Sequence, residues 1–155
     1  MKQENLDKAS RQLSNISIGE SKTLTFNDGS KIRYGTEIIE NEKFTTLAKS
    51  PGTYQVKSYW YGGILNASYL TDFVIRCGSN NDYIISSHSV SISVIGGSFS
   101  NDTLTTPRKY ETSTTRAYSH LRFNYSYPTG NATFHLYFHV GNNDYETRLS
   151  LKDIK

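Results

Sequence analysis

The sequence predicts an all-β protein in which two antiparallel sheets pack face to face as a β-sandwich. Three observations lead to this prediction. Apolar and polar residues alternate along several short segments, as in half-buried strands. Turn residues separate these segments at short intervals, and 12 Tyr and 7 Phe supply a core although the chain is only 35% hydrophobic. We expect about eight or nine strands in an immunoglobulin-like or jelly-roll-like arrangement, with a closed β-barrel as the alternative.

The 155 residues have the length of one domain, and a chain this long can bury a core without a disulfide or a partner. Leu6, Ala9 and Leu13 have helix-like spacing, which predicts an N-terminal arm or short helix over residues 1–15. Residues 16–155 are then expected to form a single β-sandwich domain.

Turns set the strand pairing in the first part of the sandwich. A three-residue loop with Gly29 in the left-handed region pairs Leu24 with Ile32. Further along, alternation predicts that the Trp60 face of its strand is buried, and residues 90–94 alternate apolar and serine side chains in another half-buried strand.

The last third of the chain predicts a three-stranded antiparallel meander with one apolar face. Pairing Tyr127 with Ala132 across the first turn sets Phe123 opposite Leu136. Around the Gly-Asn-Asn-Asp turn, Val140 pairs with the tyrosine that follows it. A slip of one residue would expose the whole apolar face, so the face assignment is well determined.

Charge and hydropathy exclude several classes of partner. The formal net charge is +3, from 17 basic and 14 acidic residues scattered along the chain. We therefore expect no nucleic-acid partner, because such proteins concentrate basic residues in a patch or stripe. The basic stretch at Arg108, Lys109 and Arg116 predicts a solvated loop or edge strand. No apolar run approaches the roughly 18 residues of a membrane span, so no transmembrane segment is expected.

The chain is expected to belong to a secreted or cell-wall-associated protein. Cys77 is the single cysteine and cannot form a disulfide within the chain. The first residues lack the apolar core of a signal peptide, so we expect that an export signal has been removed. The compartment is inferred from composition and from the resemblance described below.

A metal site is the sharpest catalytic hypothesis, and the geometry disfavours it. On the polar face of the meander, the predicted register sets His120 opposite His139 and His139 opposite Glu146, a ligand set like that of a metal facial triad. Neighbouring strands lie about 4.8 Å apart, and side chains in a row on an open sheet diverge. A metal needs ligands that converge at about 2.1 Å. We expect no metal and no cofactor here.

Nucleophilic catalysis finds no support either. The Gly-Gly-Ser-Phe-Ser segment around Ser98 does not fit a nucleophile elbow. No residue is therefore assigned a catalytic role, and the protein is not expected to be an enzyme.

Tyrosines on polar faces are the candidate ligand-binding residues. Tyrosine joins a flat apolar ring to a hydrogen-bonding tip, so it can stack on a sugar or contact a protein partner. The alternative is that these faces are covered and the rings serve ordinary packing. The candidates are Lys57, Tyr59 and Tyr61 on one strand, and Tyr137 with Arg122 and Arg148 on the meander.

Several segments combine short strands with glycine turns: Gly-Thr-Tyr at 52–54, Tyr-Trp-Tyr-Gly at 59–62, Ile-Ile-Ser-Ser-His-Ser-Val at 84–90, Gly-Gly-Ser at 96–98 and Asp-Thr-Leu at 102–104. In this pattern the chain resembles uncharacterised small secreted proteins of Firmicutes, over about residues 50–150. The resemblance implies export from a Gram-positive bacterium and a β-sandwich. It transfers no functional residue.

We therefore expect a non-catalytic, secreted or surface-associated binding domain that uses exposed tyrosines to bind carbohydrate or a protein surface. A membrane-active toxin or bacteriocin-like protein is the alternative, since mild positive charge and interfacial aromatics suit a membrane surface. A metal-dependent enzyme is the third hypothesis. The sequence leaves the ligand and the oligomeric state open.

Overall fold

The computed structural model describes residues 21–41, except 28 and 30, and residues 51–150, except 77, 79 and 129. The predicted N-terminal arm or helix of residues 1–15 lies outside these ranges. The strands, in chain order, are β1 (Ser21–Thr25), β2 (Lys31–Asn41), β3 (Gly52–Tyr61), β4 (Leu65–Ile75), β5 (Tyr83–Val94), β6 (Ser98–Arg108), β7 (Ala117–Tyr127), β8 (Gly130–Gly141) and β9 (Asp144–Ser150). These ranges contain no helix long and apolar enough to cross a membrane.

Two antiparallel sheets form, one with the order β1-β2-β3-β4-β5 and the other with the order β6-β7-β8-β9. This confirms the predicted β-sandwich, and the two described sheets do not close into a barrel. Each sheet is a meander in which every strand pairs with its neighbour in the chain. Immunoglobulin-like and jelly-roll folds contain Greek-key connections, so the strand order differs from both predicted examples.

Aromatic rings fill the space between the sheets. Phe73 of β4 packs against Phe138 of β8 and Tyr145 of β9, with ring centroids 5.0 and 4.9 Å away. Trp60 of β3, predicted to be buried, is fully buried and meets Phe134 edge-on at 5.9 Å. Burying one such ring stabilises a protein by roughly 1.5–3 kcal/mol, so these contacts dominate the packing of one sheet on the other.

Hydroxyl groups also form hydrogen bonds between the two sheets. The Thr147 hydroxyl of β9 lies 2.6 Å from the Thr36 hydroxyl of β2 and 3.0 Å from the Ser58 hydroxyl of β3. Tyr69 of β4 donates to the carbonyl oxygen of Ser119 in β7 at 3.3 Å, and the Ser119 hydroxyl donates to Tyr69 at 3.2 Å. A buried hydroxyl that loses its partner costs about 1–3 kcal/mol. These pairs therefore specify how the two sheets are aligned.

Most of the predicted register is confirmed. Leu24 pairs with Ile32, and Gly29 has a φ of 81°. Val140 pairs with Tyr145 across the second turn of the meander.

The register predicted for the first turn of the meander is wrong by two residues. Tyr127 pairs with Gly130, and Phe123 pairs with Phe134, because the chain reverses through a tighter turn than expected. A shift of two residues keeps every side chain on its own face. The alternating pattern therefore could not distinguish the two registers.

The edge strands β5 and β6 are irregular. The pairing of β5 with β4 shifts twice, and Ser89 takes a φ of 57°. As a result Val90, within the strand predicted to be half-buried, is 38% exposed. Strand β6 was predicted only at its end, where Arg108 was expected in a solvated loop or edge strand. The rest was not predicted, because it is mostly exposed and lacks a regular apolar alternation. Pro107 is tolerated in it because an edge strand leaves one row of backbone groups without ladder partners.

We predict that Gly97→Ala destabilises the protein by about 1–3 kcal/mol, the usual cost of overpacking. A methyl group on Gly97 would overlap the carbonyl oxygen of Ser126 and press on the Tyr127 ring. The control is Gly96→Asn, because Gly96 has a φ of 79° in open space and asparagine tolerates that conformation. Urea unfolding measures both free energies, and equal values for the two variants would contradict the prediction.

Candidate functional site

A groove crosses the outer face of the five-stranded sheet. Cross-strand pairing builds it from two rows, one running from Tyr61 to Asn66 and on to Ser93, and the next from Tyr59 to Ser68 and on to Ser91. Its volume is about 400 Å³, within the range of roughly 300–1,000 Å³ for small-molecule sites. The lining residues are Lys57, Tyr61, Asn66, Ala67, Ser68, Leu70, Ser89, Ser91 and Ser93.

The structure brings together the three candidate residues predicted on β3. The Tyr59 and Tyr61 rings stack with centroids 4.9 Å apart and planes 21° apart. The Arg33 guanidinium lies 5.8 Å from the centre of the Tyr59 ring, and the Lys57 ammonium lies 6.0 Å from that of Tyr61. The two rings and two cations therefore form one continuous cluster.

Tyr59 does not present the exposed ring that the sequence predicted, because only 3% of it is accessible. Its cross-strand neighbour on β2 is Gly35, which has no side chain to hold the ring away. Tyr61 is half-buried and lines the groove. Tyr61 is thus the aromatic ring accessible to a ligand, and the buried Tyr59 ring stacks against it.

A hydrogen-bonded carboxylate lies farther along the same face. Asp72 accepts from the Gln55 amide at 2.8 Å and from the Ser86 hydroxyl at 2.9 Å, and its oxygen lies 2.9 Å from Nε2 of His88. Burial raises the pKa of Asp72, but these hydrogen bonds and the charge of His88 lower it to below its usual value. The cluster is held as a unit beside the groove.

The His120, His139 and Glu146 set, considered and disfavoured as a metal site, is not assembled on the meander. His120 pairs across the strands with Tyr137, and His139 pairs with Tyr118, so the two histidines are not opposite each other. The Tyr137 ring stacks on His120 at 4.2 Å and lies 6.0 Å from His139. The backbone of Glu146 does pair with His139 as predicted, but the Glu146 side chain lies outside the described part of the structure.

His120 instead contacts His135, a pairing that the two-residue register error concealed. Nε2 of His120 lies 2.8 Å from Nδ1 of His135, and the ring planes are 8° apart with centroids 5.0 Å apart. These values describe two nearly coplanar rings joined edge to edge by a hydrogen bond. A metal lying between the two ring edges, at about 2.1 Å from each nitrogen, would need the nitrogens to be farther apart than 2.8 Å. Among the described side chains, no three potential metal ligands converge.

Tyr137 is also not the exposed ring that the sequence predicted. It is 1% exposed and is enclosed by the rings of His120, Tyr118 and His139. Packing, the alternative given above, therefore accounts for its position. Arg122 is half-buried on the same face, while the side chain of Arg148, whose backbone pairs with Tyr137, is outside the described set.

Two buried carboxylates join three chain connections at one end of the sandwich. Glu111, 6% exposed, accepts from the backbone N–H groups of Asn81 at 2.7 Å, of Asp82 at 3.1 Å and of Asn142 at 2.7 Å. Asp82 is fully buried and accepts from the N–H groups of Arg76 at 2.9 Å and of Asn143 at 2.8 Å. We call this pair the carboxylate node.

The carboxylate node binds the backbone and is not shaped for a cation, because each of its four oxygens faces an N–H donor. Burial raises the pKa of Asp82, hydrogen bonds from Arg76 and Asn143 lower it, and the Glu111 charge raises it, which leaves it above its usual value. The node was not predicted from the sequence. The feature that could have indicated the node is the turn at Asn142 and Asn143. Both residues have a φ of 56°, and successive N–H groups in such a turn can hold an anion.

Comparison with known proteins gives the fold alone. No protein-family model and no curated protein matches the chain. A crystal structure of hypothetical protein lmo2686 from Listeria monocytogenes is similar, with 18% sequence identity and a TM-score of 0.56 over 84% of this chain and 93% of that one. A similarity to an uncharacterised protein of this Firmicutes species agrees with the resemblance noted from the sequence, and it assigns no residue a role.

We predict that Glu111→Gln destabilises the protein by about 1–3 kcal/mol, because the amide that replaces one oxygen would face a backbone donor. The matched control is Glu37→Gln on the exposed part of β2, where the change should stay within about 0.5 kcal/mol. Urea unfolding compares the two free energies, and equal effects would show that the carboxylate node does not stabilise the fold.

The two buried or half-buried aspartates should affect stability with opposite dependence on pH. The raised pKa of Asp82 stabilises the fold below the usual aspartate pKa, and that contribution is lost as pH rises through the folded-state pKa. The lowered pKa of Asp72 stabilises above the usual value, and that contribution is lost as pH falls through the folded-state pKa. NMR titration of the carboxyl carbons should therefore give the higher midpoint for Asp82. His88→Ala should raise only the Asp72 midpoint, and a reversed order would refute the assignment.

Proposed function

We propose that the protein is a non-catalytic carbohydrate-binding domain of an exported protein, and that the groove on the outer face of the five-stranded sheet is its binding site. The observation that supports this is the half-buried Tyr61 ring beside rows of short hydroxyl and amide side chains. Export remains part of the proposal and is based on composition and on the resemblance to secreted proteins.

The groove offers the two kinds of contact that a sugar requires. A sugar ring has a face of C–H groups, which can stack on the ring of Tyr61, and a rim of hydroxyls that need hydrogen-bond partners. Asn66 and Ser93 supply such partners along the row that starts at Tyr61, and Ser91 supplies one in the next row. Lys57 at the Tyr61 ring adds a charged donor.

Carbohydrate is favoured over a protein surface because of the size and polarity of the lining side chains. Energetically important residues in protein interfaces are mostly Trp, Tyr and Arg that fill pockets. Here Tyr61 is accompanied mainly by serines, and Leu70 is the one large aliphatic side chain among the lining residues. Such a surface can exchange hydrogen bonds with a polyol but buries little apolar area.

A second groove shows why the aromatic ring matters to this choice. It has a volume of about 450 Å³ on the outer face of the four-stranded sheet and is lined by Ser98, Ser100, Asn124, Tyr125, Ser126, Asn131, Ala132 and Thr133. Its one aromatic residue, Tyr125, is only 1% exposed. It therefore supplies hydroxyl groups without a ring on which a sugar can stack.

The proposal of a non-catalytic role is supported by how the strongest acid and base candidates are engaged. The Asp82 and Glu111 oxygens accept backbone hydrogen bonds away from the groove. His120 and His135 are hydrogen-bonded to each other on the opposite sheet. Neither pair faces the groove in which a substrate would lie. Asp72, which lies beside the groove, accepts hydrogen bonds from Gln55 and Ser86 and contacts His88.

Binding to a glycan array, followed by calorimetric titration of the retained glycans, tests the proposal. Tyr61→Ala should weaken binding by about tenfold or more, because removing a central aromatic contact costs more than about 1 kcal/mol. Tyr61→Phe should bind nearly as tightly as the parent protein, because the stacking ring remains. Retention of no glycan, or undiminished binding by Tyr61→Ala, would refute the proposed site.

The matched control for this experiment is Tyr110→Ala. Tyr110 is 60% exposed and lies outside the groove, so the same truncation should leave glycan binding unchanged. Equal losses in Tyr110→Ala and Tyr61→Ala would show that binding does not depend on the groove.

A further inference from the structure

The large apolar side chains that are exposed in the described part of the chain are confined to one edge of the sandwich. They are Ile85, Val90, Ile95, Phe99 and Tyr110, with exposed fractions between 38% and 61%. All lie on β5, on β6, in the turn between them or just beyond β6. Because these strands are the neighbouring edges of the two sheets, we call this surface the β5–β6 edge.

The irregular backbone explains why these side chains point outward. Ile85 and Val90 lie where the pairing of β5 with β4 shifts, and such bulges redirect side chains. Ile95 and Phe99 flank the turn that carries the chain from one sheet to the other, with 61% and 43% of their surface exposed. Exposed apolar residues that cluster in this way mark an interaction surface more often than scattered ones do.

Cations and aromatic rings alternate at one end of the β5–β6 edge. The Arg76 guanidinium lies 5.0 Å from the centre of the Tyr83 ring, and that ring lies 5.6 Å from the ring of Tyr110. The Lys109 ammonium lies 5.9 Å from the Tyr110 ring. Tyrosines beside Lys and Arg are the residues that favour the boundary between lipid and water.

On the exposed surface of this edge, basic side chains outnumber acidic ones. Asp82 and Glu111 are buried, and their oxygens accept backbone hydrogen bonds in the carboxylate node. Asp102 is the exposed acidic residue of β6. The β5–β6 edge therefore combines exposed apolar side chains with exposed cationic ones.

We propose that the β5–β6 edge binds the surface of an anionic phospholipid membrane. Ile95 and Phe99 enter the boundary between headgroups and acyl chains, Tyr110 lies at the level of the headgroups, and Arg76 and Lys109 contact lipid phosphates. The binding is peripheral and reversible, and it is independent of the groove on the outer face of the five-stranded sheet.

Edge geometry argues against a second copy of the chain as the occupant. The bulges in β5 and β6 and the proline at position 107 interrupt the rows of backbone groups that another strand would need. An anionic lipid surface complements the charge and requires no strand pairing.

Co-sedimentation with large unilamellar vesicles tests the proposal. The protein should bind vesicles that contain phosphatidylcholine and phosphatidylglycerol, bind phosphatidylcholine vesicles much less, and dissociate as salt is raised. The variant Arg76→Glu/Lys109→Glu should bind the anionic vesicles at least about tenfold more weakly. No binding to anionic vesicles would overturn the proposal.

A matched charge reversal on the outer sheet face separates the β5–β6 edge from overall charge. Arg33→Glu/Lys57→Glu changes the net charge by the same amount but alters the groove cluster, and it should retain most of the vesicle binding. Equal losses in the two double variants would show that no particular surface is used, which would overturn the proposal.

An uncharged variant tests the apolar contribution. Ile95→Ser/Phe99→Ser should also lose about tenfold or more in affinity for anionic vesicles, while its circular dichroism spectrum and urea midpoint report whether it is folded. Binding by the folded variant that equals that of the parent protein would overturn the insertion of these two side chains. Tyr61→Ala should bind vesicles normally, so failure of this proposal is distinguishable from failure of the proposed glycan site.

Discussion

The alignment of the two sheets depends on noncovalent contacts, because the described strands pass between the sheets once, through the turn after β5. Rings such as Phe73 and Phe138 supply the burial that holds the sheets together. Burial is not directional, so it does not fix one sheet's position on the other. The hydroxyl pairs between Thr36 and Thr147 and between Tyr69 and Ser119 are directional, and they select one alignment.

Alternation in the sequence predicted the fold class and most of the meander because it reports which residues face the core. It does not report register, since a shift of two residues leaves every face unchanged. The pairing of Phe123 with Phe134, where Leu136 was expected, is such a case. Most of strand β6 was missed for a related reason: an exposed edge strand buries too little to need a regular apolar pattern.

The candidate site was predicted in part. The faces of Lys57, Tyr59 and Tyr61 follow from their positions relative to Trp60, and the structure places all three in one cluster. Exposure could not be inferred in the same way, because it depends on neighbouring strands. The Tyr59 ring is buried, and the Tyr137 ring is enclosed by rings from β7 and β8. The carboxylate node was also beyond prediction, since its partners are backbone N–H groups in separate connections.

The arrangement of two successive meanders has a consequence for how the chain folds. Within each sheet the pairing strands are neighbours in the chain, so hairpins can form with little loss of loop entropy. The contacts between the sheets are distant in sequence: Asp82 and Asn143 are 61 residues apart, and Thr36 and Thr147 are 111 apart. We therefore expect the hairpins to form before the sheets dock, and the carboxylate node to form only when the connections of both sheets have met. Until that late step, the aromatic inner faces remain open to water and to other chains.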